Sequence, residues 1–257
     1  MSDSKELESE QAAQEGNYRF PYHYVAQYKD DKFRHCFLDT WGINYVSTIE
    51  FLLGKLEPET LSSVVDIGCG DGRFSRELAV AKSDCKITGV DYSQKAVGLA
   101  AAMNPDIENL TFKSVDITGG HDLGRFDTAM LMEVFEHVPL SDTANFMSGV
   151  RSLLNNGGIL HLTVPHQNRP LDAMHYQHFT VEKLLTYLAG KFEVVEVVPF
   201  EKIAPSRKII SWLLSNRIFI LNSSRLLSFI YRYYKRNLLV ADSEKNCQRI
   251  YVKARAI

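Results

Sequence analysis

From residue 62 onward the apolar positions fall into short β-branched runs that alternate with amphipathic stretches. Runs at 64–67, 87–90 and 129–132 are followed by stretches at 73–81, 93–103 and 142–154, where apolar residues recur three or four positions apart. The first pattern predicts buried strands and the second predicts helices. Further strands are predicted at 110–115, 159–164 and 192–200, with a closing strand at 249–256. Ser93 and Ser141 stand where helix N-caps are expected. A helix is also predicted over 44–56, ended by Pro58, and an aromatic stretch, 18–28, precedes it. Strands alternating with helices predict an α/β fold with a mainly parallel sheet covered on both faces.

Composition removes some functions from consideration. A net charge of -2 gives no global excess that would point to nucleic acid. Cys36, Cys69, Cys85 and Cys247 form no CxxC pair and share no His/Cys ligand spacing, so neither a zinc site nor a disulfide framework is indicated. A reduced, cytoplasmic setting is the expectation. Residues 1–16 hold five acids and one lysine, the reverse of a leader, and 1–17 is predicted to be a disordered acidic tail. No apolar run reaches the roughly 18 residues of a membrane span. One region is unbalanced: 202–241 carries eight basic residues and no acidic one, interleaved with Trp212, Phe219, Phe229, Tyr231, Tyr233 and Tyr234.

The chemistry concentrates at Val64-Val65-Asp66-Ile67-Gly68-Cys69-Gly70-Asp71-Gly72-Arg73-Phe74-Ser75, a strand, a glycine turn and a helix start. Glycines permit positive φ and a close backbone approach, and a helix N-terminus favours an electronegative group. A glycine turn alone is common in α/β folds. Here the spacing is GxGxG, whereas the dinucleotide fingerprint is GxGxxG, which argues against a nicotinamide dehydrogenase. Asp66 precedes the first glycine, where a carboxylate can receive an ammonium group. Asp91 ends the next strand, where it can accept both hydroxyls of a ribose.

On these residues the chain resembles the class I S-adenosylmethionine-dependent methyltransferases over roughly 52–198. The resemblance implies a Rossmann-like, seven-stranded, mostly parallel sheet with helices on both faces. An N-terminal helical lid and a helical insertion before the last strand complete the expectation. It also implies that S-adenosylmethionine is the cofactor and S-adenosylhomocysteine the product. Asp66, Gly68, Cys69, Gly70 and Gly72 would line the methionine end, Asp91 and Tyr92 would hold ribose and adenine, and Asp116 and Ile117 would flank the adenine. Met132 and Glu133 would pass behind the sulfonium, and Asn156-Gly157-Gly158 is similar to the family's turn before strand five. The expected organisation is a tail at 1–17, a lid and helix at 18–60, a cofactor-binding core at 61–201, a basic helical insertion at 202–246 and the final core strand at 247–257.

For the acceptor side, Glu133, Glu136 and His137 recur at i, i+3, i+4 spacing, one face of a helical turn. The plain alternative is a turn that packs Val134 and Val138 inward and leaves Glu136 and His137 solvated. Two resemblances compete here. Ubiquinone-type and other small-molecule O-methyltransferases place the His of a similar "EHV" near the transferred methyl. Small-RNA 3′-terminal 2′-O-methyltransferases bind a divalent metal with Glu-x-x-Glu-His and a later His, matched here by Glu133, Glu136, His137 and His175. The acidic-aromatic pair that follows in those RNA enzymes is Gln177-His178-Phe179 in this chain, so no metal is the expectation and this ligand set the alternative. His137 is the first candidate base, with His166, His175 and His178 as alternatives. Tyr22, His23, Tyr24, Tyr28 and Trp41 are candidate acceptor contacts from the lid.

The function expected is methyl transfer to oxygen of a small-molecule, sugar or lipid-linked metabolite. A metal-dependent RNA 2′-O-methyltransferase is the second reading and a non-catalytic scaffold or sensor the third. Residues 207–236 are the candidate for a peripheral membrane contact.

Overall fold

A computed structural model of the chain describes residues 27–29, 32–34 and 40–257, apart from 217 and 222. The lid's aromatic residues Tyr22, His23 and Tyr24 and the tail at 1–17 lie outside them. So do the side chains of Tyr28 and Trp41. Two short strands, β1 (Gln27–Lys29) and β2 (Lys32–Arg34), form an antiparallel hairpin ahead of α1 (Thr40–Leu56). The region expected to be a helical lid therefore contains a strand pair, whose three-residue arms are too short to show a period of two.

The remaining elements alternate as the hydrophobic pattern predicts. β3 (Ser63–Ile67), α2 (Arg73–Ala81), β4 (Lys86–Asp91), α3 (Gln94–Met103) and β5 (Leu110–Ser114) come first. β6 (Phe126–Met132), α4 (Thr143–Ser152), β7 (Leu154–Pro165), α5 (Val181–Leu188) and β8 (Phe192–Lys202) follow. The chain ends with α6 (Pro205–Ser215), α7 (Ser224–Asn237) and β9 (Cys247–Ala256). The seven-stranded sheet has the order β5-β4-β3-β6-β7-β9-β8, parallel except for β9, which is antiparallel to both neighbours.

Strand residues alternate between two cores. Val64, Ile87, Met130 and Tyr251 face one side, where Leu52 of α1, Leu78 of α2, Ile210 of α6 and Tyr234 of α7 pack. Val65, Val90, Leu131 and Val252 face the other, against Phe146, Met147 and Val150 of α4 and Leu184 and Leu188 of α5. Each fully buried leucine contributes roughly 1.5–3 kcal/mol relative to exposure. The basic segment is thus two helices whose inner faces join α1 in one core.

The Ser93 hydroxyl caps α3 by accepting from the Ala96 amide at 3.3 Å. Ser141 does not cap α4. Asp142 occupies that position without a side-chain cap, because a tight turn from Pro139 brings the Asp142 amide to the Pro139 carbonyl at 2.9 Å. The stretch predicted as helical to 154 ends at Ser152, since Leu154 pairs with Phe126 in the sheet.

Candidate active site

The sheet order reverses direction between β3 and β6, and a cavity of about 1010 Å3 opens at the carboxyl ends of these strands. Ligands of open α/β sheets sit at such switch points because adjacent loops diverge there. The glycine turn after β3 forms one wall. Its Gly68 and Cys69 amides donate to the Val90 carbonyl at 2.7 and 3.0 Å, and the Gly70 amide donates to Asp91 Oδ2 at 3.1 Å. Asp91 thereby braces the turn as well as lining the cavity, and its Oδ1 accepts from the Ser93 amide at 2.9 Å.

Gly68 and Gly72 need their glycines. Their φ values are 71° and 78°, and a Cβ on Gly68 would meet Val134 Cγ2 at 2.5 Å, while one on Gly72 would meet the Phe112 ring at 2.6 Å. Asp66 is 2% exposed and accepts a hydrogen bond from Ser75 Oγ. Burial, reinforced by the Asp91 charge, pushes its carboxyl up to about 7. Asp116 holds the next loop by accepting from the Thr118 amide at 2.8 Å. It lines the cavity with Ile117, and Tyr92 stands at 47% exposure on the rim. Cys69 is buried on the same wall, and the cavity is also lined by Met132, which ends β6, and by Glu133, which follows it. Ten of the eleven residues predicted for the cofactor therefore line one cavity; the exception, Gly72, closes the turn behind it with its amide on the Cys69 carbonyl at 2.9 Å.

The opposite half of the cavity is built after β6. Residues Phe135–His137 make one turn of 3-10 helix, tighter than the α-helical turn that the i, i+3, i+4 spacing suggested. Glu136 is 1% exposed, so the reading that leaves it solvated is corrected: Phe135 is buried beside it and the turn folds into the core. Burial and then the neighbouring Glu133 raise the Glu136 carboxyl well above the usual carboxylate range, and its Oε2 has no hydrogen-bond partner among the described residues.

Hydrogen bonds fix which nitrogens carry protons. His137 Nδ1 lies 2.9 Å from the Met174 carbonyl, to which it can only donate, so a neutral His137 has a bare Nε2. His178 Nδ1 likewise donates to the Arg169 carbonyl at 3.0 Å, which leaves its Nε2 to accept from His175 Nδ1 at 2.8 Å. The second nitrogen of His175 is then bare as well. Burial lowers the basicity of all three, and with the neighbouring His137 and His178 it takes His175 down to about 3. One ligand atom each from Glu136, His137 and His175 lies within 4.8 Å of the others.

His137 and His175 line the cavity, whereas His178 reaches it only through His175. His166 does not belong with them. It is 3% exposed and held by Glu244 at 3.0 Å and by the Asn168 amide at 3.0 Å, a structural position away from the cavity lining. β7 continues to Pro165, so His166 follows the strand directly, and its amide donates to the Gln248 carbonyl at 2.8 Å. Arg249 and Arg169 also line the cavity and were not singled out by sequence. Arg249 reaches Glu133 across 116 positions, a separation at which no local pattern exists.

Residues 32–191 match the family model described as a methyltransferase domain. Over 111 residues the chain is 32% identical to a ubiquinone biosynthesis O-methyltransferase of Ralstonia nicotianae, an alignment covering 41% of this chain and 44% of that protein. The chain spans about half the length of the curated relatives it matches. Among solved structures, the N-methyltransferase NodS of Bradyrhizobium japonicum in complex with S-adenosylhomocysteine superposes with TM-score 0.56 at 15% identity, covering 85% of this chain and 88% of that one. The [4+2]-cyclase SpnF superposes with TM-score 0.55 at 18% identity, covering 82% and 80%. A likeness of that kind shows the fold, and the cyclase is a reminder that this fold hosts more than one reaction. The family match spans more than half of the chain, and it agrees with the strand order, the glycine turn and the carboxylates around it: the chain belongs to the methyltransferase-domain family, within the class I S-adenosylmethionine-dependent methyltransferases.

Proposed function

We propose that the chain transfers a methyl group to a hydroxyl oxygen of a small-molecule or lipid-linked acceptor, with His137 as the group that takes the proton. The observation that carries this is the bare Nε2 of a neutral, cavity-lining His137 whose other nitrogen is fixed on the Met174 carbonyl. S-adenosylmethionine supplies an electrophilic methyl on a sulfonium. The residues around the cavity fit it, with Asp66 at the ammonium end, Asp91 at the ribose and Asp116 with Ile117 at the base. The Asp66–Gly72 turn and Asp91 would orient the cofactor, and the second half of the cavity would hold the acceptor hydroxyl. There the unprotonated Nε2 of His137 would take the hydroxyl proton as the oxygen gains the methyl. Positioning contributes most of the rate and the base a further 10²–10⁴-fold or so.

The curated relatives are named as O-methyltransferases of ubiquinone biosynthesis, which supports oxygen as the acceptor atom. The test is incubation of the protein with label-bearing S-adenosylmethionine and fractionated cell extract, followed by identification of the product. The expected product is a methyl ether in the small-molecule or lipid fraction, and His137→Gln should abolish it while S-adenosylhomocysteine still binds. Label on nitrogen, or label confined to RNA, would reject the proposal.

A second reading rests on Glu136, His137 and His175. A carboxyl oxygen and two imidazole nitrogens drawn together suit a divalent cation, which would displace the Glu136 proton and lower the acceptor's pKa. Binding of Co²⁺ read by its visible absorption, lost in His175→Ala, would support it. An RNA acceptor belongs to that reading.

Residues 207–236 support a peripheral membrane contact that would bring the enzyme to a lipid-linked acceptor. Their inner faces are packed on α1, and their outer faces carry exposed apolar and basic side chains. Among the described residues no helix is long and apolar enough to cross a membrane.

A further inference from the structure

Four side chains from three separate parts of the sequence meet behind the acceptor half of the cavity. Arg249 of β9 is 8% exposed, and its Nε donates to Glu133 Oε2 at 2.6 Å. Its Nη1 donates to Glu201 Oε2, and Arg207 Nη2 donates to Glu201 Oε1. The row Glu133–Arg249–Glu201–Arg207 alternates in sign and runs from the cavity wall to the first turn of α6. Burial works against the Glu201 charge, but Arg249 and Arg207 prevail and hold its carboxyl below the usual range.

Two observations give this row a role beyond packing. Glu133 and Glu201 are the non-glycine residues with positive φ among those described, at 58° and 61°. They are the two carboxylates that clamp Arg249. A bulky L residue holds the left-handed conformation only where its surroundings over-determine it, and such strain collects at functional sites. The second observation is Glu133 Oε1, the oxygen that Arg249 leaves free. It is buried and without a hydrogen-bond partner among the described residues, on a side chain that lines the cavity. A buried acceptor left bare is costly until a ligand donates to it. Stability alone would be served as well by apolar residues, since replacing a whole buried ion cluster is often neutral.

We propose that Arg249 is a positioning residue for methyl transfer: it fixes the Glu133 carboxylate so that Oε1 accepts a hydrogen bond from a hydroxyl of the acceptor, and Glu201 fixes Arg249 in turn. This rests on the reading of the cavity as a methyl-transfer site to a hydroxyl-bearing acceptor. The sequence resemblance put Glu133 behind the sulfonium, and the two assignments differ in which ligand loses affinity when the clamp is removed.

The experiment compares the wild type with Arg249→Met, Arg249→Lys and Glu133→Gln, with Arg255→Gln on the exposed side of β9 as a control that leaves activity unchanged. The probe is the extract fraction labelled by the wild-type enzyme. Arg249→Met and Glu133→Gln should each lower kcat about 10- to 100-fold and raise the acceptor KM, with S-adenosylhomocysteine affinity within about threefold of wild type. Arg249→Lys should recover part of the loss, because an ammonium can meet one carboxylate but not bridge both. Unchanged kcat in Glu133→Gln, or a loss of cofactor affinity parallel to the loss of kcat, would overturn the proposal. Should Arg249→Met fail to fold, Glu133→Gln carries the same kinetic expectation. A crystal structure of the Arg249→Met complex with S-adenosylhomocysteine decides independently of any acceptor. Glu133 should leave the left-handed region and its Oε1 should leave the cavity wall. Retention of both without the bridge would refute the clamp, whereas failure of the wild type to label any fraction would reject the function and leave this structural arm standing.

Discussion

At the scale of single residues, Asp66 carries the sharpest expectation. Its carboxyl is raised to about 7 because burial disfavours the charge and Asp91 adds to that. The unfolded carboxyl titrates near 4, so between about pH 4 and 7 the folded protein holds a proton that the unfolded chain has lost. The ligand-free protein should therefore lose stability as pH rises through that window, by up to about 4 kcal/mol from this group alone. Thermal melts from pH 4 to 8 would register it, and Asp66→Asn should remove that component. Cofactor binding has the opposite sense. On the proposed reading the cofactor's ammonium group would pair with ionised Asp66, so binding below pH 7 would expel the proton. Affinity for S-adenosylhomocysteine should weaken by up to about tenfold per pH unit below 7. Calorimetry in buffers of different ionisation enthalpy would read the released proton, and an affinity flat from pH 5 to 8 would contradict this account.

At the scale of elements, the turn between β3 and α2 depends on a side chain from another strand. The Phe112 ring of β5 lies where Cβ atoms on Gly72 and on Gly89 would stand, at 2.6 Å from each. Gly72→Ala meets that ring and also φ 78°, so it should cost about 2–3 kcal/mol and lower Tm by roughly 4–12 °C. It should weaken cofactor binding too, because α2 begins at Arg73 and its start is displaced with the turn. A melting curve matching the wild type would sink the claim.

The elements themselves were largely legible because hydrophobic periodicity reports burial directly. Val64 and Val65 face opposite cores, as a period of two requires. The cavity wall built by the glycine turn was legible for a related reason: Asp66 to Gly72 is one contiguous stretch, and Asp91 and Asp116 each end or follow a predicted strand. The acceptor half was less so. Spacing suggested that Glu136 shares a face with His137 but could not show that a 3-10 turn buries it. Arg249 and Glu201 escaped notice because their meeting depends on β9 lying between β7 and β8, a long-range fact that local pattern does not encode.

At the scale of the whole molecule, charge and apolar exposure are unevenly distributed although the net charge is only -2. Among the described residues, ten of the nineteen exposed large apolar side chains fall between Ile203 and Val240. Ile218 is 84% exposed, Ile220 63% and Trp212 56%, on and beside the connection from α6 to α7. On α7, Arg225, Phe229, Arg232 and Arg236 recur at spacings of four, three and four and form its outward face, opposite the buried Ile230 and Tyr234. Lys202, Arg207 and Lys235 are engaged by Asp242, Glu201 and Glu50, so among the described residues the charge offered outward is that of Lys208 and the three arginines. An apolar tip flanked by cations suits the headgroup region of an anionic bilayer, where each cation adds about 1 kcal/mol. The protein should float with vesicles containing about 30% phosphatidylserine and not with purely zwitterionic ones. Changing Arg225, Arg232 and Arg236 to Glu should abolish flotation without lowering S-adenosylhomocysteine affinity, since none of the three lines the cavity. Salt near 1 M, where the Debye length is about 3 Å, should weaken it as well. Trp212 is one of two tryptophans, so in a Trp41→Phe background its emission should shift to the blue on anionic vesicles alone. Flotation on both vesicle types, insensitive to salt and to the arginine changes, would assign the contact to apolar burial and remove the charge from the account.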